Sequence, residues 1–150
     1  MTTYERLVSE LADGLGAALA PDASGLTEVF SEDRAVLLRA DETGERELTV
    51  FAVVATAPEG GFPTDTLKRA LGMNLFGRDV AGLHLGLFAD TLILSASLQL
   101  ADQTAETLAE QIVMVARTAG RLAGTLAGSA DNNAPAQTGG ATLGEGFMTV

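Results

Sequence analysis

Apolar residues near the C-terminal end of the chain recur every three or four positions. They are Leu108, Ile112, Val115, Ala119, Leu122 and Leu126. This period puts them on one face of a helix. We therefore predict a long closing helix from an N-cap at Asp102 to about Leu126, with one face buried in a core.

A second helix is predicted at the start of the chain. Thr2 and Glu5 have the spacing of a capping box. The apolar positions that follow at i, i+4 intervals are Leu7, Leu11, Leu15 and Leu19. We expect Pro21 to end this helix. Gly14 and Gly16 each weaken it by about 1 kcal/mol, which we explain by close approach of another backbone, the alternative being a shorter helix.

The next part of the chain follows the two-residue period of strands. Residues 26–31 and 34–40 are predicted to form two short strands joined at Glu32 and Asp33, and residues 46–57 a longer third strand. Both alternating sets of the third strand are apolar, which is typical of a strand with neither face in water. We expect it to be the central strand.

A short helix and a hairpin complete the pattern. Thr64 is the expected cap of a helix that runs to about Leu75 and ends at residues 77–79, after the break at residues 58–63. Its buried side would carry Leu67, Ala70 and Leu71. Residues 83–98 then read as a hairpin that turns at Ala89 and Asp90.

The order α-β-β-β-α-β-β-α predicts an α+β fold, a two-layer sandwich with an antiparallel twisted sheet flanked by helices. We assign residues 1–127 to one domain. Residues 128–150 are rich in Gly, Ala, Asn and Thr, so we expect a flexible tail. The alternative is that residues 147–150 dock on a sheet edge or carry a recognition signal.

Composition limits the partners. The chain has 150 residues, of which 47% are hydrophobic and 5% aromatic, with 20 acidic residues against nine basic ones and a net charge of −11. Nucleic acid and anionic membranes are disfavoured because the basic residues are few and scattered, whereas a basic partner would be attracted. No run approaches the roughly 18 apolar residues of a membrane span, and the charged start is unlike a secretory signal. We expect a cytoplasmic protein.

Reactive side chains show no catalytic or metal-binding arrangement. The chain has no cysteine, and its single histidine, His84, lies between two leucines in a predicted strand. The acidic pairs at 32–33 and 41–42 fall in predicted turns, where carboxylates accept local backbone hydrogen bonds, and neither has the ligand spacing of a calcium loop. We predict no catalytic residue, no metal and no cofactor.

The ordered set of features resembles a known family. It comprises the opening helix with Leu15, Gly16 and Leu19, then Asp22 and Gly25, the strand at 34–40, the segment 67–74 with Leu71, Met73 and Asn74, the hairpin at 83–98 and the long final helix. Over residues 4–126 the chain resembles the class I chaperones of bacterial type III secretion, the Tir chaperone family. The extra tail and the lack of a prominent Trp or Tyr in the last helix depart from the family pattern.

The resemblance implies a non-catalytic homodimer. It implies a cytoplasmic chaperone that holds the N-terminal chaperone-binding segment of a secreted effector soluble and partly unfolded for the secretion machinery, with the secretion ATPase as a further partner. Six residues are the candidates for effector contact: Leu7, Leu11, Val29, Phe30, Leu92 and Leu94. The alternative for each of the six is a core position.

The family's dimer interface, formed by the middle helix and the following strand, maps to Met73, Asn74, Phe76, Leu83 and Leu85. His84 would then lie near the two-fold axis, and its protonation would weaken the dimer at acidic pH. Equal association constants at acidic and neutral pH would contradict this hypothesis.

Two other classes of protein stay open. One is a small enzyme or ligand-binding domain that uses the glycine-rich segment 59–64 as a loop over a pocket. The other is a dimeric adaptor of similar fold that binds a folded partner.

Overall fold

A computed structural model describes residues 1–76 and 82–132. Its elements are α1 (Thr3–Leu15), β1 (Leu26–Ser31), β2 (Arg34–Ala40), β3 (Glu47–Thr56), α2 (Thr64–Phe76), β4 (His84–Phe88), β5 (Thr91–Gln99), a 3₁₀ turn (Leu100–Asp102) and α3 (Ala105–Asn132). The strand order is β1-β2-β3-β5-β4. This confirms the predicted α+β class, the element order and the central position of β3.

The chain forms two compact units. The first contains residues 1–52 and 95–117, and the second contains residues 53–94 and the chain from Thr118 onward. The expected helix end at residues 77–79 and the expected tail beyond 132 lie outside the described residues.

In the first unit, β1 and β2 form a hairpin that sets the sheet register. Val29 pairs with Val36 and Thr27 with Leu38. The two-residue turn has positive φ at both Glu32 (54°) and Asp33 (60°), the geometry of a type I′ turn that matches the twist of the flanking strands.

Helix α1 begins as predicted and ends earlier than predicted. The capping box of Thr2 and Glu5 is present, and Gly16 at φ 65° forms a left-handed C-cap, a conformation that costs glycine little. A Cβ at Gly14 or Gly16 would meet nothing within 4 Å. The expected close backbone approach is therefore wrong, and the alternative of a short helix is correct. Leu15 is 51% exposed as a result.

Strand β3 has one fully buried face and one partly covered face. Leu48, Val50, Ala52 and Val54 are 0% exposed. On the other face Ala55 is 1% exposed and Phe51 and Val53 are half-buried, so the expectation that neither face is solvated holds fully for one face and in part for the other.

Helix α3 confirms the predicted period and corrects its bounds. Its six periodic apolar side chains are all buried. The cap is Thr104 and not Asp102: the hydroxyl oxygen of Thr104 accepts from the N–H of Thr107, and the hydroxyl oxygen of Thr107 accepts from the N–H of Thr104. A 3₁₀ turn occupies Asp102, and the helix continues to Asn132, beyond the predicted end at Leu126.

Candidate functional site

The second unit exposes an apolar surface on α2 and β4. Leu71 is 70% exposed, Leu75 73% and Phe88 74%. Leu87 is also exposed, at 53%. We call these four side chains the α2–β4 patch. Large apolar side chains exposed to water are unfavourable unless a partner covers them.

A groove lies at this patch. Its volume is about 150 Å³, and it is lined by Leu67, Ala70, Leu71, Leu85, Gly86, Leu87 and Leu92. Every lining residue is apolar. The groove can therefore receive apolar side chains and offers little that would orient a polar ligand.

Asn74 ties α2 to β4 beside this groove. Its side-chain oxygen accepts a hydrogen bond of 3.0 Å from the backbone N–H of Leu85. That N–H lies at the start of β4, where the strand requires a fixed partner to hold its position against the helix. The bond links the two elements that carry the exposed leucines.

The residues predicted for the dimer interface have mixed positions. Met73, Leu83 and Leu85 are 6–7% exposed and pack within the protomer. Asn74 is half-buried and His84 is exposed. The side chain of Phe76 lies outside the described part. The exposed apolar area belongs instead to the neighbouring α2–β4 patch, including Leu71, which the sequence analysis wrongly placed on the buried side of α2.

The sequence of α2 contains a pattern that indicates this exposed surface. Its leucines at 67, 71 and 75 form an i, i+4 row beside Ala70 and Met73, so apolar residues cover much of its circumference. Among the side chains of residues 64–75 of this helix, only Thr66, Ala70 and Met73 are buried. A helix with more apolar positions than one neighbour can cover is typical of an element with two contacts.

The residues predicted for effector contact divide sharply by burial. Leu7, Leu11, Val29, Leu92 and Leu94 are at most 5% exposed, so in this structure these five occupy the core positions that were the alternative to effector contact. Phe30 is 71% exposed. It projects from β1, whose second edge has no neighbouring strand among residues 1–76 and 82–132, so both its ring and backbone groups of that edge can meet a partner.

Tyr4 fixes α1 to this hairpin. Its hydroxyl lies 2.6 Å from the hydroxyl of Thr27 and donates to the carbonyl of Leu38 at 3.1 Å. Burial raises the pKa of the Tyr4 phenol, so the group stays a neutral donor in neutral solution. No sequence pattern marked Tyr4 for this role, although an aromatic with a polar end in the first turn of an amphipathic helix commonly finds a buried partner.

An acidic recess of about 290 Å³ lies on the first unit, and Asp22 and Asp41 are among its lining residues. Both carboxylates are engaged locally. Asp22 accepts from Ser24 and Leu26, and Asp41 accepts from Thr43, Arg46 and Glu47. These hydrogen bonds, led by those from the Ser24 and Thr43 hydroxyls, lower the pKa of both groups. These hydrogen bonds hold the local turns in place, as the sequence predicted for Asp41.

Within residues 1–76 and 82–132, no group of three or more His, Asp or Glu side chains is placed to hold a metal ion. None of the described helices is long and apolar enough to cross a membrane.

Comparison with known proteins decides the family. The model of the Tir chaperone protein (CesT) family matches residues 6–123. The chain belongs to this family. The match spans most of the chain and includes both the α2–β4 patch and the free edge of β1.

Solved structures support the same fold for this family member. A chain of the HopA1-SchA chaperone-effector complex aligns with a TM-score of 0.65 and 18% identity, over 81% of this chain and 93% of that one. A chain of the complex between the Yersinia pestis type III secretion chaperone SycH and a fragment of YscM2 gives 0.60 and 24%, over 79% and 98%. A search among curated protein sequences gave no match.

The fold alone does not establish a function. A protein of Methanothermobacter thermautotrophicus that has no assigned role aligns with a TM-score of 0.59 at 10% identity, over 82% of this chain and 96% of that one. Membership of the family therefore rests on the family model, and the structures show a shared architecture.

Proposed function

We propose that this protein is a cytoplasmic, non-enzymatic chaperone of type III secretion that binds the N-terminal segment of an effector and keeps it soluble and partly unfolded. The match to the Tir chaperone family over residues 6–123 carries the proposal. The chaperone-effector complexes among the structural neighbours support it.

The free edge of β1 is the proposed place for an effector strand. A strand that adds to a sheet edge is held by main-chain hydrogen bonds, which require little of its sequence. Phe30, on the outward side of β1, offers an exposed ring for an apolar side chain of the effector. This gives affinity for an extended segment without demanding that the segment fold.

The α2–β4 patch is the proposed dimer interface. Burial of the exposed side chains of the patch against other apolar groups is favourable, and a second copy of the chain supplies the same apolar residues across a two-fold axis. This proposal shifts the interface from the buried Met73, Leu83 and Leu85 to the exposed Leu71, Leu75, Leu87 and Phe88, with His84 and Asn74 nearby in sequence.

The first experiment is co-expression of the chain with its neighbouring open reading frames, followed by light scattering of the purified complex. We expect a dimer of about twice 15.4 kDa carrying one effector segment that proteases cleave at its flanks. A monomer that retains nothing would contradict the chaperone function. A dimer that holds a compact, protease-resistant partner would favour the adaptor.

The dimer interface is tested by Leu71→Glu. A buried carboxylate on each side of a two-fold interface should weaken association by at least ~100-fold. Leu15→Glu is the matched control, since Leu15 is also an exposed helical leucine, at 51%, and lies in the other unit. Equal sedimentation of both variants would exclude the α2–β4 patch as the interface.

The effector edge is tested by Phe30→Ser. We expect weaker retention of the effector segment by about tenfold, the range of one exposed aromatic anchor. Phe88→Ser removes a ring that is equally exposed, at 74% against 71%, and should affect dimerisation rather than effector binding. If Phe30→Ser weakened dimerisation and Phe88→Ser weakened effector binding, the roles proposed for the two surfaces would have to be exchanged.

The third class, a ligand-binding domain, would use the loop at 59–64. That loop contributes no lining residue to the clefts described above, and Gly60 and Gly61, at φ 91° and 92°, have open space around them.

A further inference from the structure

A second apolar cleft lies in the first unit, where the end of α1 meets the beginning of α3. Its volume is about 340 Å³, and its lining residues are Leu11, Gly14, Leu15, Ala105, Glu106 and Ala109. Neither the β1 edge nor the α2–β4 patch contributes to it. It is a separate surface that the proposed function has not used.

Small residues keep the cleft open. A Cβ at Gly14 would meet no atom within 4 Å, and Ala105 and Ala109 have short side chains. Leu11 is 2% exposed, whereas Leu15 is 51% exposed because α1 ends there. The cleft thus has a buried floor and one leucine that is half uncovered.

Negative charge surrounds this apolar surface. Glu106 lines the cleft, Glu110 follows one turn later on the same face of α3, and Asp13 adjoins Gly14. The last turn of α1 contains no basic residue, so the partial negative charge of its carbonyl end is not balanced there. No hydrogen bond or ion pair in the described part of the chain uses the Glu106 carboxylate.

Charge restricts what can occupy the cleft. A second copy of this chain would bring a second set of carboxylates against the first, and like charges at an interface are costly. Residues 133–150 contain no Lys or Arg, so the chain's own end offers no complement. A segment with an apolar side chain next to Lys or Arg complements both parts of the cleft. Its apolar side chain fits the apolar floor, and its basic side chain fits the acidic rim.

We propose that this cleft binds a basic amphipathic segment of the effector, with one apolar side chain against Leu11 and Leu15 and a neighbouring Lys or Arg against Glu106. This inference rests on the proposed function and adds a second contact to it. The cleft would select effector segments that combine apolar and basic residues, and the β1 edge would bind main chain with little selectivity.

The test uses a synthetic peptide of leucine and lysine and a matched peptide of leucine and glutamate, each titrated against the full chain with methyl NMR. We expect the leucine-lysine peptide to shift the methyl signals of Leu11, Leu15, Ala105 and Ala109, and the leucine-glutamate peptide to bind at least ~10-fold more weakly.

Gly14→Phe fills the cleft from a position where an added Cβ meets no atom within 4 Å, and helix propensity also favours Phe over Gly. It should weaken binding of the leucine-lysine peptide at least ~10-fold. Gly124→Phe is the matched control, since Gly124 is also helical with nothing within 4 Å of its Cβ and lies outside the cleft. Glu106→Gln should reduce the salt dependence of binding, whereas Asp65→Asn, in the first turn of α2, should not.

Equal binding of the two peptides, binding to Gly14→Phe within about twofold of the original chain, or methyl shifts confined to other residues would each overturn the inference. Failure of the proposed function is a different result, since the original chain would then co-purify with no effector. If the Gly14→Phe variant retained its effector as well as the original chain does, the cleft would be excluded as an effector contact. The proposed chaperone function would still stand.

Discussion

Helices α1 and α2 have the same length, 13 residues each, but they differ in how completely their apolar side chains are buried. In α1 the apolar side chains Tyr4, Leu7, Val8 and Leu11 are buried and only the last residue, Leu15, is uncovered. In α2 two leucines are at least 70% exposed. Helix α1 buries its apolar side chains within its own protomer except at Leu15, beside the proposed cleft, whereas α2 leaves Leu71 and Leu75 largely exposed.

The two helices are also anchored by different means. Tyr4 bonds to a side chain and a carbonyl of the β1–β2 hairpin, and Glu45 accepts from the backbone N–H and hydroxyl of Thr3 at 2.9 and 2.7 Å. Asn74 holds α2 to β4 with one described hydrogen bond. Among the described residues, α2 is therefore held by fewer side-chain hydrogen bonds than α1.

The largest expected effect contrasts a core leucine with a patch leucine. Leu38→Ala, at a side chain that is 0% exposed, should lower the free energy of unfolding by about 2–5 kcal/mol because it leaves a cavity. Leu71→Ala should change the unfolding of the isolated protomer by less than about 0.5 kcal/mol. Urea denaturation at several protein concentrations measures both. If Leu71→Ala lowered the free energy of unfolding by a similar amount at every protein concentration, Leu71 would be a core residue like Leu38.

The next effect concerns the anchor of α2. Asn74→Ala leaves the Leu85 N–H without its acceptor and should cost about 1–2 kcal/mol. Asn74→Asp keeps an acceptor oxygen at the same place and should recover part of the loss. Urea midpoints report the stability, and light scattering reports whether the dimer weakens as β4 shifts. Equal midpoints for Asn74→Ala and the original chain would show that the bond does not hold the strand.

Two buried threonines give effects of opposite sign. The Thr66 hydroxyl, on α2, is buried without a hydrogen-bond partner among the described residues, so Thr66→Val should raise the free energy of unfolding by about 1 kcal/mol. The Thr27 hydroxyl lies 2.6 Å from the Tyr4 hydroxyl, so Thr27→Val should lower it by about 1 kcal/mol. Thermal melting of both variants would contradict this account if the two shifts had the same sign.

The smallest effect is a pH dependence confined to the first unit. Hydrogen bonds lower the pKa of Asp22, Asp41 and Glu45 below their ordinary values of 3.8, 3.8 and 4.5. A depressed pKa adds stability above the ordinary value, and that stability is lost as the pH falls through the folded-state value. The urea midpoint should therefore decrease as the pH is lowered below about 4.5.

Asp41→Ala should lower the midpoint at neutral pH and make its later decrease smaller, because the donors Thr43, Arg46 and Glu47 lose their acceptor. Glu42→Ala, at the adjacent exposed residue, should leave both unchanged. Parallel acid profiles for the two variants would show that the Asp41 turn is not the source.

Local patterns determined the elements of this protein. The bounds of β1 and β2, the cap of α1, the apolar face of α3 and the central place of β3 follow from side-chain period, turn residues and capping chemistry, which act between residues close in sequence. The errors at α1 and α3 arose where two local signals competed: a glycine C-cap preceded Pro21, and Thr104 capped α3 beyond Asp102.

Only the tertiary structure decided which apolar residues are core and which are surface. Leu11 and Leu15 share a helix face and an i, i+4 spacing, yet one is 2% and the other 51% exposed, and Val29 and Phe30 are neighbours at 5% and 71%. Burial depends on which distant element covers each position, and the sequence contains that information only through the whole fold. For the same reason the α2–β4 patch and the cleft beside Gly14 could not be found from the period of apolar residues alone.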